Sequence, residues 1–194
     1  MIIHNTIHMF KNILVCLAFI SVVACGAKPR VLLQEGELNL KPTLQHEIIA
    51  KEVVGILENY SYKKVSANDS ISNIVFDNLI KTLDEGKNYF LQSDIDEFQK
   101  FRNNISQDMR NGDLSSAFYI FNRYNQRALQ SLQYALTQVD VPHVFNNEDT
   151  YVNYRDKLAW FASEDELNDQ WRKRVKFDLL NLKLTSPAGK DESE

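Results

Sequence analysis

Ile71 to Phe101 reads ISNIVFDNLIKTLDEGKNYFLQSDIDEFQKF, and this stretch decides the fold. Its first half has apolar residues at the i, i+3 and i+4 spacing of a helix with one buried face: Ile71, Ile74, Val75, Leu79, Ile80 and Leu83. We expect this helix to stop at Glu85-Gly86, because glycine readily takes the left-handed conformation that closes a helix. A second helix is expected to begin at Ser93, a capping residue, and to run to about Met109 before the turn signal Asn111-Gly112.

The corner between these two helices contains three large apolar residues, Tyr89, Phe90 and Leu91. A connection exposed to water is normally polar, so this much apolar bulk indicates that the corner lies in a core. The next turn carries Asp94, Asp96 and Glu97. Carboxylates at a helix start are explained by the positive end of the helix dipole, without catalysis. We therefore expect the rest of the chain to pack around the corner.

Composition favours a helical domain. The chain has 194 residues, of which 44% are hydrophobic, and only six glycines and four prolines. Few turn-forming residues and long periodic runs favour helices over a many-stranded sheet. The formal net charge is −4, whereas binding to nucleic acid calls for a basic face. No nucleic-acid partner is therefore expected. The predicted fold is all-α, an irregular bundle of about five helices with an extended aromatic-rich loop, preceded by a signal peptide and a flexible tether.

The N-terminal residues indicate export. Ile13 to Ala24 is an apolar run of twelve residues after Lys11, shorter than the roughly 20 residues of a membrane-spanning helix. Val22-Val23-Ala24-Cys25-Gly26 resembles a bacterial lipobox, in which the cysteine is lipidated and becomes the new N-terminus. Cys25 is therefore the predicted membrane anchor. The alternative is an ordinary signal peptide with an incidental cysteine, and a start at Met9 would give a more typical leader.

Four segments are predicted along the chain. Residues 1–24 form a lipoprotein signal peptide, 25–42 a tether, 43–185 a helical domain and 186–194 a disordered end. No cysteine follows Cys25, so disulfides do not hold the helical domain together. The predicted location is the bacterial cell envelope, on the periplasmic side of a membrane.

Three further helices complete the predicted domain. The first, from Thr43 to Tyr60, has its apolar residues on one side: Leu44, Ile48, Ile49, Val53, Ile56, Leu57 and Tyr60. The longest spans Leu114 to Val139, and its aromatic first half is expected to meet the corner. His143 to Trp160 has no clear period and is predicted to be the extended loop. Ser163, with Glu166 three residues later, forms a capping box that opens the last helix.

The sequence contains no recognisable catalytic or metal-binding motif. A Gly-rich phosphate loop, GxSxG and HExxH are all missing from it, and His46 and His143 have no cysteine or aspartate at ligand spacing. Asn146 to Asp149 is rich in oxygen ligands but lacks the spacing and glycine of a calcium loop. The basic residues from Arg172 to Lys176 favour a solvated helix face, with ion pairs inside the domain or an acidic partner as alternatives. No catalytic residue, metal site or cofactor is predicted.

Leu83 to Phe98, LDEGKNYFLQSDIDEF, resembles the helix corner of the N-terminal domain of tail-specific proteases. These are periplasmic carboxyl-terminal processing peptidases of bacteria. Shorter matches lie in the same order at Phe76-Asp77, Met109 to Gly112, Tyr134 to Leu136 and Glu164 to Leu184. The last of these looks like the helix that leads to the PDZ module in that family. The resemblance covers Leu44 to Leu184.

The resemblance implies a non-catalytic part of a larger serine protease, which degrades or trims proteins from their C-terminal tails. Family members continue into a PDZ domain and a peptidase core with a Ser-Lys dyad, whereas this chain ends at Glu194, where the PDZ domain is expected. No residue of the chain is therefore assigned a catalytic role. By resemblance, five residues are structural or interdomain contacts: Tyr89, Phe90, Leu91, Trp160 and Trp171.

Two functional hypotheses remain. In the first, the chain is a truncated or split form of such a protease, and it acts as a scaffold or docking unit for the missing PDZ and peptidase domains or for a separate protease chain. In the second, it is a stand-alone envelope lipoprotein that binds a protease or another envelope protein, such as an adaptor. A third, independent enzymatic activity, has no support in the residues.

Overall fold

Residues 39–62, 69–145 and 149–185 are described by the structure, which is a computed structural model. The predicted signal peptide, Cys25, most of the tether and the predicted disordered end lie outside these residues. The described part of the chain is all-α, as predicted. Its helices are α1 (Leu44–Tyr60), α2 (Asp69–Asp84), α3 (Gln92–Phe98), a 3-10 turn (Gln99–Phe101), α4 (Ile105–Asn111), α5 (Ser115–Val139) and α6 (Glu164–Thr185). None of these helices is both long and apolar enough to cross a membrane.

The main core forms where α2, α3, α4 and α5 meet the corner between α2 and α3. Its buried side chains are each at most 8% exposed: Phe76, Ile80, Phe90, Phe98, Ile105 and Ile120. Phe90 lies among three other rings, with centroid distances of 5.3 Å to Phe98, 5.9 Å to Tyr124 and 6.1 Å to Trp160. The corner is therefore inside the core, and the aromatic first half of α5 reaches it through Tyr124, as predicted.

A second buried cluster joins the corner to the loop before α6. It comprises Leu91, Phe161, Leu167 and Trp171. Leu91 and Phe161 form an isolated parallel β-bridge, and the Gln92 amide donates to the Phe161 carbonyl at 2.9 Å. The loop predicted between α5 and α6 therefore crosses the corner and covers it.

The second predicted helix is broken, so its expected run to Met109 was wrong. After α3 the chain passes through the 3-10 turn and restarts as α4. Asn103 and Asn104, both poor helix formers, lie at the break. Beyond it, the buried Ser106 hydroxyl shares a 2.6 Å hydrogen bond with the Ser72 hydroxyl of α2. The break lets α4 meet α2 at this contact.

The left-handed residue at the end of α2 is Lys87, with φ +50°, and not Gly86 as expected. Gly86 instead leaves room for its neighbour, because an added Cβ would lie 2.5 Å from Asn88 Nδ2. The turn predicted at Asn111-Gly112 is present, with Gly112 at φ +83° closing α4.

Helix α1 turns its apolar side to solvent. Ala50 and Val54 are its buried residues, and they belong to the face that packs on α4. The residues of the predicted apolar side are between 44% and 84% exposed: Leu44, Ile48, Ile49, Val53, Ile56, Leu57 and Tyr60. The periodicity was predicted correctly, but the described residues do not cover this side of the helix.

Candidate functional site

A buried carboxylate beside the corner holds three elements together. Asp94, in α3, is 1% exposed. Its Oδ1 accepts a hydrogen bond from Arg123 Nη1 at 2.8 Å, and its Oδ2 accepts one from Arg127 Nε at 2.8 Å. Oδ2 also accepts from the Leu91 amide at 3.0 Å. Asp94 therefore links α3, α5 and the corner itself.

Arg127 extends this network to the start of α6, where its Nη1 donates to Glu164 Oε1 at 2.6 Å. Burial acts to lower the pKa of Arg127, but its hydrogen bonds to Asp94 and Glu164 outweigh burial and raise that pKa. The guanidinium group is therefore held in its charged form between two carboxylates. Such an arrangement is suited to fixing helices and supplies no general base.

A second buried carboxylate closes the corner from the other side. Asp84, the last residue of α2, is 4% exposed. It accepts hydrogen bonds from the backbone amides of Asn88, Tyr89 and Phe90 at 2.7, 2.9 and 2.9 Å. Burial raises the pKa of Asp84, and the three amides and Arg155 oppose that rise. By accepting from these three amides, the Asp84 carboxylate fixes the path of the corner backbone.

The two tryptophans named in the sequence also lie at the corner. Trp171, in α6, is 4% exposed, and its Nε1 donates to the Asn88 carbonyl at 2.9 Å. Its ring lies 5.6 Å from that of Tyr89. Trp160 is half-buried against Phe90, and Lys87 Nζ lies 5.4 Å from the centre of its ring. Together with the buried Leu91, the five residues form one group, and a role between domains stays a prediction for them.

Sequence reasoning missed the charged part of this site. Asp94 was explained by the helix dipole alone, whereas the structure places it in a buried ion-pair network. Asp84, Arg123 and Arg127 were not singled out. The sequence did contain a signal for buried charge. Arg123 and Arg127 are one helical turn apart on the same side of α5, a helix that also carries aromatic residues. Their carboxylate partner could not be chosen without the fold.

Two open cavities flank the corner. One, of about 390 Å³, has apolar walls from Phe76, Ile80 and Trp160. The other, of about 430 Å³, lies between Trp160 and α6, with Arg155 and Lys173 among its lining residues. Neither cavity is lined by serine, cysteine or histidine within the described ranges. Nor do those ranges hold a group of three or more His, Cys, Asp or Glu residues that could bind a metal ion.

The basic residues of α6 form ion pairs within the domain. Arg172 donates to Asp169 at 2.8 Å and to Asp149 at 3.3 Å. Lys173 pairs with Asp169 at 2.6 Å, and Lys176 pairs with Asp149 at 2.8 Å. The alternative of internal ion pairs therefore describes this segment better than a purely solvated face. Asp149 acts here as a partner of α6, while residues 146–148 lie outside the described ranges.

The comparisons with known proteins agree with the resemblance. A family model described as the tail-specific protease N-terminal domain matches residues 53–194. The chain belongs to the tail-specific protease family. A tail-specific protease of Haemophilus influenzae is 34% identical over 185 residues, which cover 91% of this chain and 26% of that relative. The chain therefore spans about a quarter of the length of this relative.

The match assigns the corner and its charge network to the N-terminal domain of the tail-specific protease family. Residues 53–194 include helices α2 to α6 and the second half of α1. Asp84 and Asp94 hold the helices of this tail-specific protease domain together. The family match itself supports a non-catalytic N-terminal domain.

Proposed function

We propose that the chain is a scaffold or docking unit of a periplasmic tail-specific protease. It holds or positions the PDZ and serine peptidase domains, either in one longer chain or as a separate protein. The protease then degrades or trims proteins from their C-terminal tails. The observation that carries this proposal is the match of residues 53–194 to the N-terminal domain of the family.

The rigidity of the corner supports a scaffold role. A scaffold must keep the relative directions of its helices, and here two buried carboxylates fix four elements at one point. Asp94 joins α3 to α5, Arg127 extends the link to α6, and Asp84 anchors the end of α2. Removing either buried carboxylate leaves buried arginines or backbone amides without a partner, which is costly.

A stand-alone envelope lipoprotein is the second candidate. The lipobox-like segment Val22 to Gly26 favours it, because a lipid on Cys25 would hold the domain at a membrane. In this form the helices would bind a separate protease or another envelope protein, such as an adaptor. The two candidates share the same domain and differ in whether the peptidase is covalently attached.

Reconstitution tests the proposal. The Haemophilus influenzae relative is produced without its matching N-terminal region, alone and together with this chain. We expect the chain to co-purify with the shortened protease and to increase its cleavage of an unstructured protein tail at least tenfold. The relative's own N-terminal region is the positive control. A shortened protease that is restored by its own region, but neither bound nor stimulated by this chain, would contradict the scaffold function.

A separate assay tests the absence of catalysis. The purified chain is incubated alone with the same unstructured substrate, and cleavage is followed by mass spectrometry. We expect no specific product. A product that disappears when a single serine of the chain is replaced would instead show an independent peptidase.

A further inference from the structure

Helix α1 presents a regular row of exposed apolar side chains. Ile49, Val53, Ile56 and Tyr60 are 46%, 44%, 58% and 84% exposed. They follow one another at steps of four, three and four residues. This is the a/d spacing with which a helix packs lengthwise against another helix. We call these four residues the α1 seam.

The α1 seam is fixed in its outward direction. The neighbouring side of the helix packs on α4 through the buried residues Ala50 and Val54. Glu58 accepts from Arg110 of α4 at 2.8 Å, which ties the end of the helix. Lys51 lies against Gly112, where an added Cβ would come within 2.5 Å of Lys51 Cε. Rotating α1 to bury the seam would break these contacts.

A small apolar groove adjoins the α1 seam. It has a volume of about 60 Å³ and is lined by Val53, Leu57, Ile71, Val75 and Met109, among others. This volume is sufficient for part of one aliphatic side chain. Ile74 of α2, 53% exposed, adds further apolar surface on the same helix as the groove wall. The seam supplies a row of knobs and the groove supplies a hole. A second helix could pack against both in a knobs-into-holes arrangement.

Charge beside the α1 seam indicates the chemistry of the partner. One edge of the seam carries Gln45, Glu52 and Asn59. The other edge carries Leu57 and borders Ala50, which is buried against α4. Glu52 is exposed and is the one charged residue on these edges. A second copy of α1 would offer Glu52 no basic residue from either edge, and in an antiparallel pair it would offer another Glu52. A partner with lysine or arginine at that position is therefore favoured over self-association.

We propose that the α1 seam binds an amphipathic helix with an apolar face and basic flanks, located in the part of the tail-specific protease outside this chain. This inference rests on the proposed function, since it places a contact between the domain and the remaining protease. The length of the matched relative supports it. The chain covers 26% of that protein, so most of the relative lies outside the match and is available to supply the helix.

The first test uses two synthetic helical peptides as probes of the full 194-residue chain. Both have leucine at a and d over three heptads, and they carry either lysine or glutamate at e and g. We expect the lysine peptide to bind at least tenfold more tightly in fluorescence anisotropy. Val53→Asp should weaken that binding at least tenfold, whereas Leu136→Asp, at a similarly exposed position of α5, should leave it unchanged. Equal binding of both peptides, or equal loss in both variants, would overturn the inference.

The second test uses the shortened Haemophilus influenzae protease. We expect Val53→Asp to abolish co-purification and Leu136→Asp to preserve it, with both variants still unfolding cooperatively in circular dichroism. If Val53→Asp still co-purifies, the inference fails while the scaffold function stands. If the wild-type chain does not co-purify, the scaffold function fails and this inference falls with it. A dimer of the chain, or binding to lipid vesicles, that Val53→Asp abolishes would also overturn it.

Discussion

Asp94 shows how much of this domain depends on one buried side chain. Its two oxygens accept from two arginines and one backbone amide, over distances of 2.8 to 3.2 Å. Burying a carboxylate is costly unless its charge is matched and its lone pairs are occupied. Both conditions are met here, so the network fixes geometry more than it adds stability.

Removing the Asp94 carboxylate should therefore be severe. Asp94→Ala leaves Arg123 and Arg127 without their shared partner, and we expect the free energy of unfolding to fall by about 3–5 kcal/mol. Urea denaturation followed by circular dichroism measures this change. Glu164→Gln is the matched control, since that side chain is 64% exposed and its loss should cost at most about 1 kcal/mol. Similar costs for both variants would show that the Asp94 network is not the anchor.

Phe90 tests the core at the corner. It is fully buried among three aromatic rings, so Phe90→Ala should lower the free energy of unfolding by about 3–5 kcal/mol. The control is Tyr60→Ala, because Tyr60 is 84% exposed and should change stability by no more than about 0.5 kcal/mol. A near-zero effect at Phe90 would mean that the corner does not pack in solution as described.

Asp113 gives a pH-dependent contribution. The hydroxyl and amide of Ser115 lower its pKa below 3.8, and the amide lies 2.8 Å from Oδ1 at the start of α5. A depressed carboxyl pKa stabilises the fold above the unfolded value, and this stability is lost as the pH falls through the folded pKa. Asp113→Ala should cost about 1 kcal/mol at pH 7. That cost should shrink below pH 3.8 in urea titrations, and Asp113→Asn, which keeps an acceptor, should show a smaller cost at pH 7.

At the scale of the elements, the sequence predicted what depends on local periodicity. The stop of α2, the extent of α5 and the Ser163 start of α6 are all set by residues within a few positions of the helix ends. The break before α4 was missed, because it involves a contact with Ser72, 34 residues away from Ser106. The buried pairing of Asp94 was missed for the same reason, since its partners lie 29 and 33 residues further along the chain.

Helix α1 shows a different limit of periodicity. Its spacing was predicted, yet the pattern contains no information on what lies against the apolar side. The buried residues Ala50 and Val54 are on average smaller than the exposed seam residues, which include two isoleucines and a tyrosine. Close approach of α1 to α4 accounts for this, because small side chains allow two helices to pack closely. The larger residues are left on the outside, where another helix can be accommodated.

The attachment of α6 to the corner can be tested through Trp171. Trp171→Phe keeps most of the buried ring but removes the indole donor to the Asn88 carbonyl, and we expect a loss of about 1–3 kcal/mol. Hydrogen exchange should quicken most in the first half of α6. Phe177→Leu, at a position 41% exposed on the same helix, serves as the control and should leave exchange there unchanged. Uniform quickening in both variants would show that this hydrogen bond does not hold α6.

At the scale of the whole molecule, the described helices bury the corner between α2 and α3 but leave the apolar side of α1 exposed. The corner joins α2, α3, α5 and α6 through two buried carboxylates and a group of aromatic rings. The α1 seam leaves a continuous apolar surface exposed, and natural monomers rarely keep such surfaces without a partner. The buried contacts at the corner fix the arrangement of the helices, and the exposed α1 seam is the surface that we propose for assembly.

The predicted lipid anchor completes this arrangement and can be tested directly. The predicted tether of residues 25–42, if fully extended at about 3.3 Å per residue, would place the domain up to roughly 60 Å from a membrane. Because Val22 to Gly26 resembles a lipobox, we expect a lipid on Cys25 to be the main attachment. Cys25→Ser should therefore move the chain from the membrane pellet to the soluble fraction after cell breakage, and labelling with a radioactive fatty acid should disappear. Cys16→Ser, in the same apolar leader, is the control and should change neither. A Cys25→Ser chain that still pellets would mean that the leader or a bound partner holds the domain at the membrane.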